Sequence, residues 1–309
     1  MEKIEDIASV HLGKAGDGSV VKPYVTPDAI DSNLLVPIPR KLNREAYDID
    51  DDALPFVGFD TWNCYEVSFM LDNGYPVNCV AKIVIPANSK YIVESKSLKL
   101  YLNSFNMHKM GSDLDTAILN AQYYIEQHLS KILELKYVPV TLFTDISYVP
   151  APVPMMGFIP VEKLINVENV EFNTFNEDKD ILQPMKVNMG VPVQIRTNVL
   201  RSNCRVTNQP DWGDVYIHIR GYEVPTYESL LKYIVSMRKE NHFHEEICEM
   251  IYKRLWSQFD PVELMVGCMY TRRGGIDINP VRASDFHLID KFCGNLETSH
   301  AASPKTMRQ

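Results

Sequence analysis

The stretch TWNCYEVSFML-DNG-YPVNCVAKIVI, residues 61–85, decides the class of fold. Thr61 to Leu71 alternates in polarity with the two-residue period of a strand, and Tyr75 to Ile85 reads as its partner. Asp72-Asn73-Gly74 joins them; Asn and Gly accept the left-handed backbone conformation that a tight hairpin requires. Outward from the hairpin, Ser97–Asn106 and Ser112–Leu135 have helical spacing. Asp113 and Asp115 sit in the first turn of the second helix, where a carboxylate favours the helix dipole. Tyr137 to Tyr148 returns to strand.

A Pro-rich joint, Val149 to Pro154, follows, and residues 160–188 carry no clear pattern. Strand character resumes over Val191–Leu200 and Val215–Tyr222. Helices are predicted over Thr226–Lys239 and Phe243–Ser257, and Val262–Thr271 closes the series as a strand. The order strand–strand–helix–helix–strand thus occurs twice. Tyr227 to Tyr233 also faintly echoes Val93 to Tyr101, although amphipathic helices echo one another by chance. With the repeated element order, the echo favours two related α+β modules in tandem. The expected division is an irregular N-terminal arm over 1–55, a first module over 56–155, a connecting segment over 156–190, a second module over 191–292 and a mobile tail over 293–309.

Composition narrows the function classes. With 309 residues and 45% apolar content, the chain can bury a sizeable core. Its net charge of -9 disfavours tight binding to a phosphate backbone and leaves nucleobases and other small molecules open. No apolar run approaches the ~18–20 residues of a membrane span, and Met1 to Gly16 lacks a secretory apolar core. A soluble cytoplasmic enzyme is expected, with its six scattered cysteines kept reduced.

Four segments could carry chemistry. Ser202 to Asp214 reads as a polar loop between strands, holding Cys204 between Arg201 and Arg205, with Asp211 near enough to fold back. Nearby positive charge favours thiolate, the nucleophilic form, yet an incidental surface cysteine fits the same composition. Asn241-His242-Phe243-His244-Glu245-Glu246 begins a helix. Asn241 or His242 could cap it, or the segment could offer an imidazole and a carboxylate to a ligand. His242 and His244 are two apart, not at the spacing that puts two metal ligands on one helical face, so no metal is expected. Glu94 to Tyr101 sets a carboxylate, Ser95 and Lys96 at a helix start that suits a phosphate or a merely solvated helix. Thr271 to Pro280 sets Arg272 and Arg273 beside Gly274 and Gly275, as a phosphate contact or a polar turn. Neither a GxGxxG nor a P-loop motif is present, so a dinucleotide would bind without a Rossmann fold.

These segments, in this order, resemble the 7-cyano-7-deazaguanine reductases, the nitrile reductases of queuosine biosynthesis, in their longer, two-module branch. Leu12-Gly13-Lys14, Leu34 to Arg40, Leu42 to Glu45 and Trp62 to Ser68 resemble that branch's N-terminal half, and Glu94 to Phe105 resembles its signature motif. The resemblance implies two tunnelling-fold modules, antiparallel sheets backed by helices, in a homodimer or larger assembly. It implies that Cys204 attacks a nitrile carbon to form a thioimide and that Asp211 donates the proton at nitrogen, aided by His244. It implies that Val93, Glu94, Ser95, Phe243, His244 and Glu245 contact the base, and that Ser95, Lys96, Arg273 and Gly274 hold NADPH. Arg205 and Val281 depart from the more apolar and the bulkier residues expected there.

The implied chemistry fits the residue types. A nitrile carbon needs a strong nucleophile before it accepts hydride, and its nitrogen needs an acid close by. Related amide-transfer enzymes would keep Cys204 and Asp211 without the nucleotide signature. A non-catalytic purine- or pterin-binding scaffold need not keep a nucleophile, and a zinc-dependent cyclohydrolase would need a ligand set that the scattered Cys and His do not supply.

Overall fold

The hairpin forms where the sequence predicts it. Leu71 N–H donates to Tyr75 O, Gly74 N–H donates to Leu71 O, and Gly74 takes φ +88°. The structure, a computed structural model, describes residues 27, 29–144, 155, 157–297, 302–306, 308 and 309. The chain runs β1 (Pro37–Pro39), α1 (Lys41–Arg44), β2 (Val57–Met70), β3 (Pro76–Pro86), β4 (Tyr91–Val93), α2 (Ser95–Asn103), α3 (Leu114–Ile132), β5 (Val140–Phe143) and β6 (Ile159–Pro160). It continues through β7 (Pro184–Lys186), β8 (Val193–Asn203), β9 (Pro210–Arg220), β10 (Glu223–Pro225), α4 (Tyr227–Ser236), α5 (His244–Phe259), β11 (Glu263–Tyr270), β12 (Ile276–Ala283) and α6 (Phe286–Glu297).

Eight strands form one sheet in the order β5-β3-β2-β12-β11-β9-β8-β6, antiparallel except for the short β6–β8 pair. The two halves of the chain meet at β2 and β12, which pair from Val57↔Ala283 to Cys64↔Ile276. Helices α2 and α3 cover the first half, burying Leu98, Tyr101, Ala121, Ile125 and Leu129 against Trp62, Phe69 and Ile83. Helices α4 and α5 cover the second half, with Leu230, Tyr233, Ile251 and Leu255 against Ile217, Leu264 and Val266. Each such side chain, taken fully from water, contributes about 1.5–3 kcal/mol before the entropy of ordering is charged. A third cluster, built from α6 with Phe59, Met265, Met269 and Val281, includes Leu288, Ile289 and Leu296.

The echo between the halves has a local counterpart. Glu94 caps α2 and Thr226 caps α4, each accepting N–H bonds through its side chain. Three residues on, Ser97 Oγ donates to Glu94 O and Ser229 Oγ donates to Thr226 O. A three-residue ladder precedes each helix, β1 with β4 and β7 with β10. Asp113 is the N-cap of α3 and Asp115 lies in its first turn.

Several boundaries differ from the sequence reading. Ser202 to Asp214 is mostly strand rather than loop: β8 and β9 pair through Ser202↔Asp211 and Asn203↔Pro210, leaving a short tip that holds Cys204. Its polar residues mislead because every second one faces solvent or a site rather than the core. The N-cap of α5 is Phe243, not Asn241 or His242; Glu246 accepts its backbone N–H. The sequence reading missed β12, whose Asp277 and Asn279 look like turn residues but are buried and paired with Asn63 and each other. The tail expected from residue 293 begins inside α6, where Cys293 and Leu296 are buried. Farther on, Arg308 pairs with Asp214 and Gln309 donates to Asn279. Strand β5 accounts for Val140–Phe143 of the strand predicted over Tyr137–Tyr148. Leu12-Gly13-Lys14 and the Pro-rich joint lie outside the described residues. Among the described residues no helix is long and apolar enough to cross a membrane.

Candidate active site

A pocket of about 500 Å³ opens where the two halves meet. Cys204, Asp211, His244, Val93, Glu94, Ser95, Phe243, Glu245, Lys96, Arg273 and Gly274 all line it. Sequence reasoning singled out each of these as site residues and missed Trp62, Thr207, Gln209 and Ile278, which also line the wall. Trp62 reads simply as a strand residue, and Ile278 lies in the unrecognised strand β12 that pairs with it.

The β8–β9 hairpin presents the sulfur. Cys204 N–H donates to Gln209 O, Asn208 N–H donates to Cys204 O, and Asn208 takes the left-handed φ of +55° that closes the tip. The other five cysteines are buried, whereas Cys204 is partly accessible. The tip is stitched to the approach to α5: Asn203 N–H donates to Glu240 O, and His242 N–H donates to Asn203 O.

The flanking arginines do not serve the sulfur as the sequence suggested. Arg201 donates to Arg238 O and lies near the Trp212 ring. Arg205 donates to Asn43 Oδ1 and His242 Nδ1 and stands 3.3 Å from Glu246. That arrangement gives Arg205 a structural reason: it ties the hairpin to α1 and α5. The guanidinium beside Cys204 comes instead from Arg273, which also contacts Asp211 at 2.6 Å.

Asp211 lies in β9, with one carboxylate oxygen on Arg273 and the other 3.5 Å from His244 Nε2. Burial alone would raise its pKa, but His244 and then Arg273 outweigh burial and hold it below the ordinary aspartate value. His244 opens α5 and stacks on Tyr270, ring centroids 3.9 Å apart. Its Nδ1 is buried with no hydrogen-bond partner among the described residues, and neither has Glu245 Oε1. Burial, followed by the charge of Asp60, pushes the Glu245 carboxyl up to about 7 against the pull of His244 and Arg40. A nucleobase edge with adjacent N–H groups would satisfy such an acceptor.

From the first half, Glu94 folds both carboxylate oxygens back onto the N–H groups of Lys96 and Ser97. Burial nevertheless raises its pKa, because it outweighs those bonds. The α2 terminus is therefore not free to hold a phosphate through its amides, contrary to the sequence reading. Side-chain cations could hold one instead, since Lys96 and Lys99 both line the pocket. Lys99 Nζ is 2.8 Å from Glu66, which projects from the irregular pairing between Cys64 and Val67. Arg272 lies over the Tyr65 ring instead.

Comparisons with known proteins show what the chain is similar to. Residues 26–142 match the family model described as nitrile reductase, 7-cyano-7-deazaguanine-reductase N-term, and residues 210–287 match the QueF-like protein model. An NADPH-dependent 7-cyano-7-deazaguanine reductase of Psychrobacter cryohalolentis is 39% identical over 270 residues, covering 85% of this chain and 92% of the relative. Its counterpart in Coxiella burnetii (strain CbuK_Q154) is 36% identical over 265 residues, covering 85% of this chain and 90% of the relative. A crystal structure of the archaeosine synthase QueF-Like in the apo form is 19% identical, with a TM-score of 0.28 over 30% of this chain and 91% of that one. By its extended identity to the curated relatives, the chain belongs to the family of NADPH-dependent 7-cyano-7-deazaguanine reductases.

Proposed function

We propose that the chain reduces the nitrile of 7-cyano-7-deazaguanine to the primary amine of 7-aminomethyl-7-deazaguanine, with NADPH as reductant, in queuosine biosynthesis. The observation that carries this reading is the gathering of Cys204, Asp211, His244 and Glu245 with Glu94 and Lys96 in one pocket. A guanine-like edge is held between Glu245 and the Val93-Glu94-Ser95 segment, with Phe243 packing beside it. Cys204 attacks the nitrile carbon. Asp211, an anion by virtue of His244 and Arg273, accepts the thiol proton and returns it to the nitrogen, leaving a thioimide. Asp211 thus acts first as base and then as the donor.

The lining fits a phosphate-bearing cofactor. Lys96 and Lys99 supply cations, and Gly274, at φ +59°, presents bare backbone, while Gly275 behind it packs under Glu66. A Cβ at position 275 would stand 2.6 Å from Glu66 Oε1. Ser95, Lys96 and Gly274 would hold NADPH, which supplies hydride twice. Between the two reductions His244 is placed to pass protons, since Nε2 faces Asp211 and Nδ1 is unpartnered among the described residues.

The fold reading that accompanies this function is two tandem tunnelling-fold modules, the second extended through α6 beyond residue 292, fused through β2 and β12. Among the described residues the sheet ends at the short strands β5 and β6. An unpaired sheet edge is where a second copy would join, in a homodimer or larger assembly in the cytoplasm.

Intact mass spectrometry after mixing with the nitrile, without NADPH, tests the proposal. A single substrate-mass adduct mapping to Cys204 is expected, followed by oxidation of two NADPH per nitrile. Amidine formation from ammonia, or no adduct, would overturn it.

A further inference from the structure

Arg273 is expected, by resemblance, to hold the cofactor. Its guanidinium is directed elsewhere. Nη1 donates to Asp211 Oδ1 at 2.6 Å, and Nη2 donates to Thr207 Oγ1 at 2.7 Å and Gln209 Oε1 at 2.8 Å. It lines the same pocket wall as Cys204, whose sulfur its charge reaches. All four residues belong to the hairpin that carries the nucleophile. The turn behind Arg273 explains its aim. Arg273 N–H donates to Ile276 O and Ile276 N–H donates to Arg273 O across Gly274 and Gly275, both at positive φ. That is the two-residue hairpin turn for which glycine is suited, and it holds the arginine at a defined angle.

We propose that Arg273 is a positioning residue of the covalent step itself: it clamps the Cys204 hairpin and aims the Asp211 carboxylate that takes the thiol proton. This rests on the reading of Cys204 as the nucleophile. The step balances without an oxidant or reductant. The S–H proton passes to Asp211 as sulfur bonds to the nitrile carbon. One C–N π bond becomes a nitrogen lone pair, and that nitrogen takes the proton from Asp211. The guanidinium stabilises negative charge first on the carboxylate and then on sulfur as the proton leaves. A lysine would keep the charge but lose the planar fork that meets three side-chain oxygens at once.

The test uses the full-length chain without nucleotide. Alkylation by iodoacetamide near neutral pH is followed by mass spectrometry, and Cys204 dominates because the other five cysteines are buried. Arg273→Gln is expected to slow alkylation of Cys204 on the order of tenfold, with Arg273→Lys intermediate. Adduct formation with 7-cyano-7-deazaguanine, again without NADPH, is expected to slow at least as much. If Arg273 served only the cofactor, both rates would stay at the wild-type value and only KM for NADPH would rise, which would overturn the proposal. If alkylation slows but the wild type forms no adduct, the nitrile reading fails while the effect of Arg273 on sulfur stands. Should Arg273→Gln melt early, Arg273→Lys decides: slowed alkylation with an unchanged melting curve supports the clamp, and unchanged alkylation refutes it.

Discussion

Arg40 Nη2 stands 2.5 Å from Asp60 Oδ2, with side-chain exposures of 3% and 0%. This pair begins a buried chain of charge. Arg282 bridges Asp60 and Glu249, Arg44 bridges Glu249 and Asp51, and each contact is 2.8 Å or shorter. Three guanidinium groups meet three carboxylates, so the cluster is balanced without Glu245, one turn earlier on α5. Arg40 and Arg44 come from the N-terminal arm, and the charges of Arg40 and Asp60 act on Glu245, which lines the pocket.

Removing one partner should expose the cost of burial. Arg282→Met would leave Asp60 and Glu249 short of their cation, and a loss of about 3–5 kcal/mol is expected in urea unfolding. Glu249 is buried, yet Arg282 and Arg44 hold its pKa down to about 2 from 4.5. Its folded value is depressed, so its contribution is present above about 4.5 and is lost as pH falls toward about 2. Melting temperature against pH should show that acid loss in the wild type and little of it in Glu249→Gln, itself destabilised.

Glu245 has the opposite sign. Its folded pKa, raised to about 7 from 4.5, means the native state holds a proton that the unfolded chain releases in that window. Stability therefore falls as pH rises from about 4.5 to about 7. Glu245→Gln should melt higher than wild type at pH 8, with the difference fading toward pH 5, while KM for the nitrile rises. Equal melting differences at both pH values would refute the assignment.

Cys204→Ala should form no adduct and should not oxidise NADPH, while the base still binds, since the contacts from Glu245 and Phe243 are untouched. Equilibrium dialysis with the nitrile and intact mass spectrometry read the two halves of that claim. Normal turnover in the variant would remove Cys204 from the mechanism.

For Asp211→Asn, general acid–base loss predicts a fall in reduction rate of roughly 10²–10⁴ with binding kept. In the wild type the rate should fall as pH drops through the depressed pKa of Asp211, because the protonated carboxyl cannot accept the thiol proton. A pH–rate profile without that acid limb would place the base elsewhere.

At the seam between halves, Gly58→Ala should be disruptive. A Cβ there would overlap Val281 O, in the β2–β12 pairing itself. Loss of several kcal/mol and weakened binding are expected together, because the pocket is built across that seam.

The sequence alone determined the hairpin at Asp72-Asn73-Gly74, the repeated order of elements and the short segments that line the site. These are local: turn chemistry, strand period and helix period act between neighbours a few residues apart. It also sufficed to single out Cys204, Asp211, His244 and Glu245, whose spacing along the chain already resembled a family pattern. Tertiary structure decided which charge serves which group. Arg201 and Arg205 adjoin Cys204 in sequence but point into other contacts, whereas Arg273, 62 residues beyond Asp211, supplies the guanidinium. Likewise β12 was illegible, because Asp277 and Asn279 find their partners only across the seam with β2. Coulomb forces and hydrogen bonds depend on distance in space, and it is the pairing of distant strands that sets those distances.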